Sequence, residues 1–288
     1  MGIKTITRYP VYIISKGRYD TNYTAKTLEY MGIPYTLVVE PQEYLEYAKV
    51  INSKKILVTP FSNLGQGSIP VRNFVFEHAI KSGAKKHWIL DDNIRYFYRL
   101  HNNTRIPISS PVCFTAIEDF ADRYENIGLT GMHYYYFRPS KVEWPPFVLN
   151  TRIYSNILIN HKINMRWRGK YNEDTDLSLR ALKAGWCTVL FNQFLSGKVP
   201  TLNMKGGNTS TIYNTGDYRT GYAKSLKKQH PAIVKIVWRF NRWHHKVDYS
   251  PFKGNKLLFI KGIKLNNIVP DNYKLELIYT KTPNIFEL

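Results

Sequence analysis

Four short apolar runs, Val11-Tyr12-Ile13-Ile14, Tyr35 to Val39, Ile56 to Val58 and Trp88-Ile89-Leu90, alternate with stretches of helical period. Ala25, Leu28 and Met31 mark one helical face, stopped by Gly32; Val71, Phe74, Val75 and Ala79 mark another, ending near Gly83. Strands separated by helices pair in parallel, because the intervening helix carries the chain back across the sheet. The pattern therefore predicts an α/β fold with a mainly parallel twisted sheet flanked by helices. In such sheets ligands bind at the carboxyl ends of the strands, so the polar residues that close each run are where chemistry is expected.

The rest of the chain is less regular. Phe114 to Tyr124 reads as a helix, Ile127 to Met132 as a strand, and His133 to Pro146 as an aromatic, proline-bearing loop. Thr151 to Ile159 reads as a long strand, Asp174 to Lys183 as a helix closed by Gly185, and Thr188 to Phe191 as a strand. From Lys198 the chain turns basic and turn-rich, with Gly206-Gly207-Asn208 and a helix-like basic stretch from Tyr218 to Trp243. Residues 1–200 are expected to form one α/β domain and 201–288 a basic extension packed on it.

No apolar run approaches the length of a membrane span, and Met1-Gly-Ile-Lys-Thr-Ile lacks the apolar centre of a signal peptide. A cytoplasmic protein is expected, with Cys113 and Cys187 reduced and buried. The 41 Lys and Arg against 21 acids leave a net charge of +20. That excess favours a polyanionic partner, nucleic acid first and an anionic membrane surface or acidic polymer second.

Four loops carry candidate chemistry. His87-Trp88-Ile89-Leu90 ends abruptly in Asp91-Asp92-Asn93, hard oxygen ligands of the kind that hold Mg²⁺ or Mn²⁺ on a diphosphate. The same three residues also suit an ordinary turn or helix cap. Ser15-Lys16-Gly17-Arg18 follows the first strand and places cations and a glycine where a phosphate or nucleoside can approach, although surface cations are usually only solvated. Gly65 to Asn73 leads through Pro70 into a helix whose N-terminus, with Arg72, attracts phosphate; it lacks the Gly-Lys-Ser/Thr ending of a Walker loop. Asn172-Glu173-Asp174-Thr175-Asp176 opens a helix. Its acids complement the helix dipole, but crowding them also raises one pKa, which suits a general base. In the basic tail, His244 or His245 could complete a metal site begun at Asp92, or the two form a neutral surface pair.

In this order along the chain, Ser15-Lys16-Gly17-Arg18, Arg72-Asn73, Asp91-Asp92-Asn93 and Asn172-Glu173-Asp174 resemble the nucleotide-sugar glycosyltransferases of GT-A type. The wording of Ile13 to Arg18, His87 to Asn93 and Trp243-His244-His245-Lys246-Val247-Asp248-Tyr249 is most similar to the phage glycosyltransferases associated with TET/JBP-type dioxygenases, relatives of the base-J glucosyltransferase. The resemblance implies a GT-A fold, Rossmann-like, and inverting transfer of a sugar, glucose by expectation, from a UDP-sugar to a 5-hydroxymethylpyrimidine in DNA. Asp92 would then bind Mn²⁺ or Mg²⁺, and Asp91 the ribose or sugar side of the donor with a share in the metal. Ser15, Lys16, Gly17, Arg18, Glu40, Arg72, Asn73 and Asn93 complete the expected donor set. Asn93 departs from the family-wide Asp-x-Asp pattern at its third position. Asp174, with Glu173 beside it, matches the catalytic base, and His244 or His245 the C-terminal metal ligand. Lys224, Lys227, Lys228, Lys235, Arg239 and Arg242 are the expected DNA contacts. Two other readings stay open: the same fold acting on a glycan, lipid or protein acceptor, and a non-catalytic nucleic-acid-binding protein.

Overall fold

The computed structural model describes residues 7–138, 143–169, 171–199, 204, 206–207, 218–239 and 241–264. Expectations for Met1 to Ile6, for Asn208 and for the tail beyond residue 264 lie outside these described residues.

The first unit follows the alternation in the sequence. β1 (Val11–Ile14), α1 (Tyr23–Tyr30), β2 (Thr36–Val39), α2 (Tyr44–Ala48), β3 (Ile56–Val58), α3 (Ile69–Lys81) and β4 (Lys86–Asp91) build a parallel block in the order β3-β2-β1-β4. β1 is buried throughout and β4 from Lys86 to Leu90 because both faces of the block are covered, by Leu28 of α1 on one side and Val75 and Phe76 of α3 on the other. The chain winds outward from β1 to β2 and β3, then returns to β4 on the other side of β1. That reversal opens a crevice at the carboxyl ends of β1 and β4.

The second unit extends the sheet. β5 (Ile94–His101), β6 (Thr104–Pro107), α4 (Val112–Ala121), β7 (Ile127–Tyr134), β8 (Phe147–Leu149), β9 (Asn156–Asn160), α5 (Glu173–Lys183) and β10 (Cys187–Lys198) complete the order β4-β9-β7-β10-β5-β6, with β8 on β10. Here only β7 and β10 pair in parallel; β9, β5, β6 and β8 run antiparallel to their neighbours. The sheet is therefore mixed, not mainly parallel as the alternation suggested. The strand pair that tips the balance, β5–β6, turns through Asn102 and Asn103 at φ 45° and 58°, left-handed values that asparagine tolerates in a two-residue hairpin.

Two further expectations change. The long strand from Thr151 shortens to Asn156–Asn160 because Ser155 sits at φ 65° and breaks the extended run. The basic stretch 218–243 is not one helix: α6 (Tyr218–Gln229) stops before Pro231, and β11 (Val234–Arg239) and β12 (Arg242–Val247) form an antiparallel hairpin turning at Asn241, φ 54°. Its alternating β-branched and aromatic residues favour strand over helix. Leu226 of α6 and Val234 of β11 pack on Leu179 and Leu182 of α5, which ties this segment to the sheet unit. Cys113 and Cys187 are buried and unbridged. Among the described residues no helix is long and apolar enough to cross a membrane.

Candidate active site

A cavity of about 390 Å³ opens in the crevice at the ends of β1 and β4. Each wall comes from a strand end or helix start that the topology delivers there. β1 supplies the loop from Ser15, β4 supplies Asp91 and Asp92, and the N-termini of α3 and α5 supply Ser68 and Arg72, Glu173 and Asp174. Because β9 runs antiparallel to β4, its start brings Ser155 onto Asp91: the Asp91 amide donates to the Ser155 carbonyl at 2.8 Å and Ser155 Oγ donates to Asp91 Oδ2 at 2.7 Å. β10, antiparallel to β5, ends where β5 begins, so Lys198 arrives opposite Ile94 and beside the acids.

Asp91, which ends β4, and Asp92, which follows it, are held differently. Asp91 meets Arg72 Nη2 at 2.9 Å and Lys198 Nζ at 2.5 Å. Burial raises its pKa, but these two cations outweigh burial and hold it well below the ordinary carboxylate range. Asp92 is buried, ion-paired with Arg18 through one oxygen and accepting from Ser15 Oγ at 2.7 Å through the other. For Asp92 burial prevails over both partners and the pKa rises.

The loop after β1 is fixed from two sides. Glu43 accepts from the Gly17 amide at 2.8 Å, and Tyr47 OH accepts from the Arg18 amide at 3.1 Å. Lys16 Nζ meets Glu40 at 2.7 Å. Gly207 donates its amide to the Lys16 carbonyl at 2.7 Å, and the approach is close: a Cβ on Gly206 would lie 2.3 Å from the Gly17 oxygen. Only glycine fits there, at φ +75°.

Asp174 stands on the opposite wall. Trp167 Nε1 donates to its Oδ1 at 2.9 Å, and Arg72 reaches Oδ2 at 3.5 Å. Burial, reinforced by Glu173 and Asp91 and opposed by Arg72, pushes its pKa up to about 6. Such a carboxylate is mostly ionised at neutral pH yet basic enough to take up a proton, as a general base must be. Glu173 accepts from Ser68 Oγ at 2.8 Å. The third acid of this helix, Asp176, is fully buried and bound to Arg180, Arg168 and His230, so it is structural and does not line the cavity.

Of the residues singled out in the sequence, Ser15, Lys16, Arg18, Glu40 and Arg72 line this one cavity. So do Asp91, Asp92, Asn93, Glu173 and Asp174. Gly17 shapes the loop without lining the cavity. Asn73 is occupied elsewhere: it exchanges two hydrogen bonds with the Trp167 backbone, at 2.9 and 2.8 Å, and so positions the indole that meets Asp174. His244 and His245 sit on β12 and are not in the lining. Lys224, Lys227 and Lys228 lie on α6, and Lys235, Arg239 and Arg242 on the hairpin, also away from the lining. Sequence reasoning missed Lys198, Ser155, Tyr134 and Tyr154. Lys198 ends a strand as Asp91 does, and that signal was readable; the others arrive only through the antiparallel pairings.

Two polar atoms stand out. Arg72 Nη1 and Asn93 Oδ1 are buried without a hydrogen-bond partner, although both residues line the cavity. A buried unpaired guanidinium nitrogen is a donor suited to an anion. The unpaired amide oxygen beside two carboxylates makes an oxygen-only donor set, which fits a Mg²⁺ or Mn²⁺ ion completed by substrate phosphates. Among the described residues no group of three or more His, Cys, Asp or Glu forms a self-sufficient metal cluster.

A family model described as TET-Associated Glycosyltransferase matches residues 9–207, which include every strand of the large sheet and all of the acids above. No curated protein matches the chain.

Proposed function

The chain belongs to the TET-associated glycosyltransferase family, and from that premise we propose that it moves a sugar from a UDP-sugar to the hydroxyl of a 5-hydroxymethylpyrimidine in DNA. The observation that carries the reading is the convergence, in one cavity, of fixed cations suited to a diphosphate and a carboxylate whose pKa is pushed up to about 6. We read residues 1–200 as the GT-A-type catalytic domain and 201–288 as the acceptor-side extension.

In this reading the diphosphate of the donor lies against Arg72, Lys198 and the Lys16–Arg18 loop. The unpaired Arg72 Nη1 gains its partner there. Asp91, Asp92 and Asn93 would hold a divalent ion, which when bound supplies positive charge to the leaving diphosphate. His244 and His245, the other expected metal ligands, lie on β12 outside the cavity lining. Arg72 does two jobs, since it contacts Asp91 and Asp174 together. It thereby fixes the donor side and the base side of the cavity in one frame.

The acceptor hydroxyl approaches Asp174, gives up its proton to Oδ2 and attacks the anomeric carbon as the bond to the diphosphate breaks. Trp167 Nε1 holds the other oxygen, so the base keeps its orientation. An oxocarbenium-like transition state carries positive charge, and Glu173 and Asp174 on the same wall stabilise it. The net charge of +20 supports DNA as the polyanionic acceptor.

Incubation with UDP-glucose, Mn²⁺ and 5-hydroxymethylated DNA, followed by nucleoside mass spectrometry, should reveal a base–sugar adduct. No adduct across several UDP-sugars and both hydroxymethylpyrimidines refutes the DNA acceptor. Donor hydrolysis unaffected by DNA would then point to a glycan, lipid or protein acceptor.

A further inference from the structure

The β11–β12 hairpin has two chemically distinct faces. Cross-strand partners share a face, and faces alternate along the strands. Val234 with Val247, Ile236 with His245 and Trp238 with Trp243 form one face; Lys235 with Lys246, Val237 with His244 and Arg239 with Arg242 form the other. At its base the first face is core: Val234 is fully buried against Leu226 and Leu179. Toward the tip the same face leaves the body of the protein. Trp238 and Trp243 are 58% and 42% exposed and meet edge to face, with ring centroids 5.2 Å apart.

The hairpin is linked to the cavity through its neighbours. His245, one pair inward from the tryptophans on the same face, feels the positive charge of Arg152, and Arg152 lines the cavity. The tryptophan pair stands about 7 Å farther along, two residues at strand rise. α6, on which the hairpin packs, contributes Tyr222 to the cavity lining. From Val234 to Val247 the sequence contains no Asp or Glu.

A ribbon with indoles on one side and guanidinium and ammonium groups on the other complements a strand whose bases and phosphates are likewise segregated. Membrane-surface elements share this two-faced pattern; the packing of the hairpin on α6, which contributes Tyr222 to the cavity read above as a DNA-acceptor site, favours nucleic acid. We propose that the hairpin is a stacking finger for nucleic acid: Trp238 and Trp243 receive bases unstacked beside the target nucleotide, and Arg239 and Arg242 hold the flanking phosphates. The proposal rests on the DNA-acceptor reading and names the form of DNA recognised, a strand with at least one base out of the stack. Base–aromatic stacking of this kind is sequence-tolerant and adds to a salt-sensitive phosphate component.

The test compares the full chain with W238A/W243A and with W238F/W243F. Fluorescence anisotropy follows binding to a labelled single-stranded oligonucleotide and to the same strand carrying abasic sites. The parent should bind the intact strand more tightly. The double alanine variant should lose roughly tenfold to a hundredfold in affinity for it, and should no longer distinguish the abasic strand. The phenylalanine pair should restore most of the loss. Melting temperature and acceptor-free hydrolysis of UDP-glucose should be unchanged in both variants. If the alanine variant binds and discriminates like the parent, the finger is refuted while the DNA acceptor stands. If the parent itself binds neither strand and transfers no sugar to DNA, both readings fall. Loss of self-association or of binding to phosphatidylserine vesicles, with DNA binding intact, would assign the tryptophans to a protein or lipid contact and overturn the proposal.

Discussion

Replacing Asp174 with Asn separates its chemical role from its structural cost. Asn keeps the shape of the side chain and an oxygen to accept from Trp167 Nε1, which lies 2.9 Å from Asp174 Oδ1. It removes the charge. In the fold Asp174 titrates at about 6, against 3.8 for an unperturbed carboxyl. That gap corresponds to about 3 kcal/mol. The figure is an upper one, because 14% of the side chain remains exposed and water screens part of the effect. The native state binds this proton more tightly than the unfolded chain does. Below pH 4 both states are protonated, and the carboxyl costs the fold nothing relative to Asn. As pH rises from about 4 to 6 the unfolded chain ionises first and the parent loses stability; above that window the loss is complete. At pH 8 the variant should therefore be more stable by up to about 3 kcal/mol, or roughly 5 °C in melting temperature for a chain of this length. Sugar transfer should meanwhile fall by about 10²–10⁴-fold, the usual contribution of a general base. Paired thermal melts at pH 4 and pH 8, with product formation followed by mass spectrometry, measure both. A variant that melts below the parent at pH 8, or whose stability difference is the same at both pH values, would refute the buried-base argument.

Other consequences follow from the same geometry. Transfer by the parent should rise with pH through about 6 as Asp174 ionises, and the acid limb of kcat/KM reads this directly. Arg72→Lys keeps the charge but loses the guanidinium that alone bridges Asp91 and Asp174, so that limb should move to higher pH while the KM for UDP-sugar increases. Lys198→Met leaves Asp91 with Arg72 alone, and chemical denaturation should show a loss near the lower end of the roughly 3–5 kcal/mol typical of a broken buried pair. Gly206→Ala forces a Cβ to 2.3 Å from the Gly17 oxygen at φ +75°. Calorimetric titration with UDP should show weakened binding, because the loop carrying Lys16 and Arg18 must shift; unchanged affinity would remove that loop from the donor site.

The parallel half of the sheet was legible because β1, β2 and β4 are largely buried on both faces and β1 to β4 are separated by helices, so composition and period agree. Its loops inherit that clarity: Ser15, Arg72, Asp91 and Asp174 each close a strand or open a helix, and the switch point gathers them. The antiparallel half was harder. Ser155 and the Asn102-Asn103 turn depend on left-handed backbone that Ser and Asn adopt only in context. Asn73 carries the residue type of a ligand contact, yet its amide is spent on the Trp167 backbone. Asp176 looks equivalent to Asp174 in the sequence. Two residues, about half a helical turn, put it on the face of Arg180 and His230 instead of the cavity. The basic tail was read as helix because charge conceals period. Pro231 and the alternation of Val234 to Trp238 make it a hairpin after α6.

By itself the sequence determined the α/β class, the strand-end positions of the acids and cations, and the net charge that favours a polyanion. These are local or additive properties: hydrophobic period, turn chemistry and charge do not depend on what lies across the fold. Tertiary structure alone decided how the carboxylates differ. It gave Asp91 to Arg72 and Lys198, gave Asp92 to Arg18, and left Asp174 buried between other acids with a raised pKa. Ionisation responds to burial and to charges brought from distant parts of the chain, and only the folded sheet brings residues 18, 72, 91, 174 and 198 within reach of one another.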